Sequence, residues 1–183
     1  MASRRTSTNK ILFETDGLAI TNSKLIPGEI GVISKRNYKK GELLFLVKGS
    51  VRNTPTRYSF SVGKDQHIEP TGNNEEGNFG HYINHSCDPN SLVRIVLKDS
   101  QNPYIEIVAR ENIKKGDELT FDYGTLEYET TIDGSKCKCG AIICRGKIHG
   151  FRYLPKDVID AYIKEGIISD YLLNLRQSED RLN

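Results

Sequence analysis

The chain has 183 residues, long enough for one domain with a real hydrophobic core, and its 37% hydrophobic and 27% charged residues are those of an ordinary globular protein. Its 26 basic and 24 acidic residues leave a net charge of only +2, which argues against a dedicated nucleic-acid binder but not against a local acidic groove. No apolar run approaches the ~20 residues of a membrane span, so no membrane partner is expected.

Met1 to Lys10 is polar and basic and lacks the apolar region of a signal peptide. It reads as a flexible tail of an intracellular protein. Short strands broken by turn signals follow, at Leu18–Thr21, Ile30–Ser34, Leu43–Val47, Tyr58–Val62, Leu92–Leu97 and Tyr104–Ala109. Thr71 to Gly77 reads as a loop, and Asp99 to Pro103 as the turn joining the last two strands. Within Ile105-Glu106-Ile107 apolar and polar residues alternate, as one half-buried face requires. Two segments resemble each other, Asn37 to Leu44 and Asn112 to Leu119, each a polar turn with glycine feeding a strand. They are read as repeated turn chemistry; the alternative is a pair of strand entries on a pseudo-symmetric sheet.

Toward the C-terminus the period changes. Val158, Ile159, Tyr162 and Ile163 recur at helical spacing, with Pro155 suited to the first turn and Gly166 to the break. Ser169 can cap a second helix carrying Leu172, Leu173 and Leu175. These helices are expected to pack on the sheet or on the cysteine segment, with their aromatic residues in a core.

Three segments carry chemistry. They are Asn84-His85-Ser86-Cys87-Asp88-Pro89-Asn90, then Glu118-Leu119-Thr120-Phe121-Asp122-Tyr123-Gly124, then Cys137-x-Cys139-Gly140-x-x-x-Cys144-x-Gly146. The chain has four cysteines, three of them within the eight residues 137–144. Cys137 and Cys139 are poorly spaced for a mutual disulfide and well spaced to share a metal. A closed structural zinc site wants four ligands, so Cys87, Cys137, Cys139 and Cys144 are proposed as one tetrahedral site. The alternative is three unrelated thiols plus one buried cysteine.

In this order the three segments resemble the SET-domain family of protein lysine methyltransferases, over roughly residues 15–150. The resemblance implies a mainly β (α+β) fold: small curved sheets with a pseudo-knot, a post-SET zinc knot and short C-terminal helices. The expected division is a tail at 1–10, the SET domain at 11–134, a post-SET zinc-binding segment at 135–152 and a helical extension at 153–183. The cysteine-rich pre-SET module of some members is not expected in this sequence, because all four cysteines are already used.

The implied activity is methyl transfer from S-adenosylmethionine to a lysine of a protein or peptide, a histone tail being the commonest kind of target. A histone-directed eukaryotic member would be nuclear, and no sequence-specific nucleic-acid contact is expected. Cofactor contacts are expected from Ile30, Gly31, His81, Asn84, His85 and Tyr123. Tyr123 matches the catalytic tyrosine of the family motif. The physical demand is clear: an amine of pKa ~10.4 must be neutral to attack a sulfonium. An apolar channel beside a cationic donor favours the neutral form, and a hydroxyl can align the reactants. The expected channel residues are Val47, Tyr58 and Phe121, and phenylalanine at 121 implies methylation beyond the first methyl. His81 stands where the family usually has arginine, Glu29 where its first donor-loop glycine falls, and Val47 where a channel tyrosine is common. These departures support a competing expectation, a SET fold that binds a partner without turnover.

Overall fold

A computed structural model describes residues 10–56, 58–71, 79–96, 104–130 and 132–181. Residues 1–9 of the expected tail at 1–10, residues 72–77 of the expected loop at 71–77 and the expected turn at 99–103 lie outside the described residues. Eleven strands occur among the described residues: β1 (Phe13–Glu14), β2 (Leu18–Asn22), β3 (Ile30–Ser34), β4 (Leu43–Val47), β5 (Gly49–Arg52), β6 (Phe60–Gly63), β7 (Gln66–Pro70), β8 (Asn84–His85), β9 (Ser91–Val96), β10 (Tyr104–Ala109) and β11 (Thr120–Phe121). Two helices follow, α1 (Lys156–Lys164) and α2 (Asp170–Asp180).

The strands form four small sheets, ordered β1-β2-β3, β4-β10-β9, β5-β7-β6 and the parallel pair β8-β11. β10 shows the expected alternation: Ile105 and Ile107 are fully buried, while Glu106 faces outward and pairs with Arg94 across the ladder at 3.2 Å. The sheets close on one core that includes Ile20, Val32, Ile68, Val93, Ile105 and Leu119.

The fourth expected strand, Tyr58–Val62, is shorter than its sequence suggests. Tyr58 lies outside β6 because Thr56 and Ser59 capture the preceding backbone: Thr56 N donates to Ser59 Oγ at 2.8 Å and Tyr58 N to Thr56 Oγ1 at 3.2 Å. Such local side-chain bonds compete with ladder pairing. The polar composition of Gln66–Pro70 concealed β7, the centre strand of its sheet.

The two similar turns pair with each other. Tyr38 and Ile113 bridge antiparallel, with N–H to O distances of 2.8 and 2.9 Å. Asn112 Oδ1 accepts from Lys40 N at 3.0 Å, and Asn37 Oδ1 accepts from Lys115 N at 2.8 Å. Gly41 and Gly116 take the left-handed φ of +84° and +94° that each turn requires. The repeat is therefore a local pseudo-two-fold unit rather than coincidental turn chemistry.

The helices make a second core with the segment before them, where Phe151, Leu154, Ile159, Tyr162 and Leu172 bury one another. Ser169 caps α2 by accepting from Leu172 N, as the sequence suggests. Arg110 at the end of β10 forms a two-pronged bond to Glu165 at 2.8 Å for each arm, which ties α1 to the sheets.

Candidate functional site

The parallel pairing of β8 and β11 sets the polar loop beside the Glu118–Gly124 segment, with Thr120 opposite Asn84 and Phe121 opposite His85. Asn90 fastens the same edge, donating from Nδ2 to Glu118 O at 2.8 Å and accepting at Oδ1 from Thr120 N at 3.0 Å. An asparagine amide mimics a peptide unit here, so the loop is held without a further strand.

Glu118 organises the opposite side. Its buried carboxylate accepts from Ser23 Oγ at 2.9 Å, Lys24 N at 2.6 Å, Leu25 N at 3.1 Å and Asn84 Nδ2 at 2.8 Å. Asn84 Nδ2 also donates to Ile30 O at 2.9 Å. Gly31 has to be glycine in this arrangement, because a Cβ would come within 2.4 Å of Glu118 Oε1.

Tyr123 begins a 3-10 turn, Tyr123–Thr125, directly after Asp122. Its hydroxyl donates to Ile83 O at 2.9 Å, and its N–H donates to His85 Nδ1 at 3.2 Å. With Nδ1 accepting, the neutral imidazole of His85 carries its proton on Nε2, which faces Cys87 Sγ at 3.4 Å. Burial pushes the His85 pKa down to about 4 against the pull of Asp122, so the ring is neutral near pH 7.

A cavity of about 470 Å³ opens between these parts. Its lining includes Gly28, Glu29, Ile30, Tyr58, Phe60, His81, Asn84, Phe121, Tyr123 and Glu127. Tyr58 packs edge-on against His81, with ring centroids 5.0 Å apart. His81 Nε2 is buried and has no hydrogen-bond partner, and burial lowers the pKa of the ring. The cavity thus brings together Ile30, Tyr58, His81, Asn84, Phe121 and Tyr123. Gly31 packs behind it on Glu118, and the side chain of His85 turns toward Cys87. Val47 is a core residue opposite Ile105.

The four cysteines converge as their count suggests. Their Sγ atoms all lie within 4.8 Å of one another, and Cys87 and Cys137 are 3.8 Å apart. A tetrahedron with Zn–S arms of ~2.3 Å has edges of ~3.8 Å, so this donor set fits zinc. Burial pushes the Cys87 thiol up to about 11. Burial acts the same way on Cys139, but backbone N–H groups outweigh it and bring that thiol down to about 7.

Asp122 joins this cluster to Tyr123. Fully buried, it accepts from Arg145 Nη2 at 2.7 and 2.8 Å, from the Tyr162 hydroxyl of α1 at 2.9 Å and from Gly124 N at 3.0 Å. Arg145 also donates its backbone N–H to Cys87 Sγ at 3.4 Å.

The SET-domain family model matches residues 29–124, more than half of the chain. The chain belongs to the SET-domain family. This SET domain is 43% identical over 88 residues to the histone-lysine N-methyltransferase SUV39H2 of Xenopus tropicalis, covering 40% of this chain and 22% of that protein. It is 30% identical over 133 residues to the histone-lysine N-methyltransferase ASHH3 of Arabidopsis thaliana, covering 64% of this chain and 35% of the relative. Among solved structures it is similar to KRYPTONITE in complex with methylated DNA, an H3(1-15) peptide and SAH. That likeness has a TM-score of 0.57 and 31% identity, over 79% of this chain and 31% of that one. The SET domain therefore spans about a third or less of the length of these relatives.

Reading by motif assigned no task to four residues that shape the site: Glu118, Asn90, Asp122 and Arg145. Glu118 and Asp122 carried a visible signal, since charged residues within an otherwise apolar strand segment need buried partners. Nothing in the sequence marked Arg145 as the partner of Asp122.

Proposed function

We propose that this SET domain transfers methyl groups from S-adenosylmethionine to the side-chain amine of a protein lysine, with a histone tail as the leading substrate and the nucleus as its place of work. The observation that carries this reading is the shared cavity, in which Tyr123 and Phe121 stand alongside Ile30, His81 and Asn84. The named activities of the relatives and the H3 peptide and SAH of the KRYPTONITE complex support it.

When bound, the donor supplies an electrophilic methyl on a sulfonium. The chain's residues hold and align what reacts with it. The Tyr123 proton is engaged by Ile83 O, which turns the oxygen lone pairs toward an N–H or a polarised methyl in the cavity. Phe60 and Phe121, with ring centroids 5.9 Å apart, present apolar faces that disfavour an ammonium. Glu118 holds the backbone at Lys24 and Leu25, and Asn84 holds Ile30 O, beside the expected donor contacts Ile30 and Gly31. Zinc at Cys87, Cys137, Cys139 and Cys144 would act only as a cross-link between the Asn84 loop and the C-terminal segment.

The test is Tyr123→Phe, assayed with labelled donor and peptide. The variant should keep its fold and its calorimetric affinity for the donor while turnover falls at least ~100-fold, as for loss of one positioned polar group. Near-normal turnover would show that another residue aligns the amine, with Tyr58 the next candidate.

A further inference from the structure

Glu127 follows Tyr123 by one 3-10 turn and Leu126, and both Glu127 and Tyr123 line the cavity. Its position is fixed on both sides: Leu126 is buried in the main core, and Glu127 O accepts from Phe151 N at 2.8 Å. Its carboxyl is held quite differently. Oε1 is shielded from solvent and has no hydrogen-bond partner. Beside it, on β7, His67 Nδ1 stands 3.8 Å away, beyond hydrogen-bond reach, and also lacks a partner. Buried polar atoms are nearly always satisfied, because leaving them bare is costly. An unsatisfied acid on the cavity wall, with an unsatisfied imidazole beside it but outside the lining, points to a functional role rather than packing. Glu29, the other carboxylate of that wall, is solvent-exposed.

We propose that Glu127, oriented by His67, is the proton acceptor for the substrate lysine in this cavity. The inference rests on the lysine-methylation reading and adds a residue to it. A protein lysine arrives as an ammonium. One Nζ–H proton passes to a Glu127 carboxylate oxygen, leaving a neutral amine and a carboxylic acid. The amine lone pair forms the N–C bond as the methyl–sulfur bond breaks, and that bonding pair stays on sulfur. Glu127 then gives its proton to water, ready for the next methyl.

The surroundings suit this task. An ordinary carboxylate is too weak a base for an amine of pKa ~10.4. Burial lifts Glu127 to about 7, and the apolar faces of Phe60, Phe121 and Leu126 press the amine downward from the other side. Among the described residues, Asp65 and Tyr171 are the other ionisable groups that interact with this pair. Burial keeps His67 neutral, with Asp65 of the β6–β7 turn opposing, and Tyr171 of α2 feels the charges of both Glu127 and Asp65. A small closure would let His67 Nδ1–H reach Oε1 and aim the other oxygen into the cavity.

The experiment measures kcat from about pH 6 to pH 9.5 for wild type, Glu127→Gln and Glu127→Asp, with S-adenosylmethionine and an H3(1-15) peptide. If that peptide is not a substrate, the first hit from a lysine-peptide array replaces it. Glu127→Gln should bind the donor as wild type does and lose at least ~100-fold in kcat near pH 7. The deficit should shrink as pH rises and solution supplies free amine. A loss of the same size at every pH, or none, overturns the proposal. Should the Gln variant fail to fold, the Asp variant decides: withdrawing the carboxyl by one methylene must slow kcat, and an unchanged kcat overturns the role. A wild type that binds the donor yet methylates no peptide overturns the lysine reading itself, and this inference with it.

Discussion

Phe121 and Tyr123 both line the cavity with ring centroids 5.0 Å apart, and of the two only Tyr123 carries a hydroxyl. An apolar ring at 121 leaves room for a methylated amine to turn and present its lone pair again. A second hydroxyl would hold a water in that space, and displacing ordered water changes free energies by up to ~2 kcal/mol. Since 1.4 kcal/mol is about tenfold in rate, wild type is expected to proceed beyond monomethyl-lysine and Phe121→Tyr to accumulate the monomethyl product. Mass spectrometry at long times and excess donor checks this; exclusive monomethylation by wild type contradicts it. Glu127 makes a separate prediction about stability. Its folded pKa, about 7, lies above the ordinary 4.5, so between these values the folded chain binds the extra proton. Stability from this group is full below pH 4.5 and is lost as pH rises through 7. The cost approaches about 3 kcal/mol in alkaline solution. Glu127→Gln should therefore raise the melting temperature at pH 8 and leave it nearly unchanged at pH 4.5, as a thermal series would reveal.

At the scale of elements, the Tyr123–Thr125 turn is held by parts distant in sequence. Asp122 receives Arg145 from the cysteine segment and Tyr162 from α1 on the same carboxylate that precedes Tyr123. The Asp122–Arg145 pair is 0% and 12% exposed, so removing one partner strands a charge in the interior. Arg145→Ala should cost about 3 kcal/mol in urea unfolding. Arg145→Lys should recover part of that, because both contacts to Asp122 come from the one Nη2 atom and an ammonium can supply the same charge there. A loss within a few tenths of a kcal/mol for the alanine variant would mean that Tyr162 and Gly124 alone satisfy Asp122.

For the whole molecule, the cysteine cluster joins the Asn84 loop, through Cys87, to the segment carrying Cys137, Cys139 and Cys144. The Sγ separations call for about one zinc per chain. Cys139→Ser should lower the bound metal and the unfolding midpoint together, because metal binding is coupled to folding. Metal-free protein with four freely reactive thiols and an unchanged midpoint would remove zinc from the account. The pseudo-two-fold unit of Asn37 and Asn112 joins the middle of the chain in a comparable way without metal, each asparagine accepting from the other's turn.

Residue identity at short spacing was legible in the sequence: the limits of β3, β4 and β10, the Ser169 cap, the four-cysteine site and the motifs that β8 and β11 bring together. These follow from local backbone preference, periodicity and ligand arithmetic, which a linear string carries. Only the tertiary structure decided that Val47 is core, that the side chain of His85 faces Cys87, that Asp122 meets Arg145 and that Glu127 and His67 share an unsatisfied gap. Each of these depends on which distant side chain fills the space opposite. That is fixed by close packing of the whole core, in which one residue's neighbours are set by all the others.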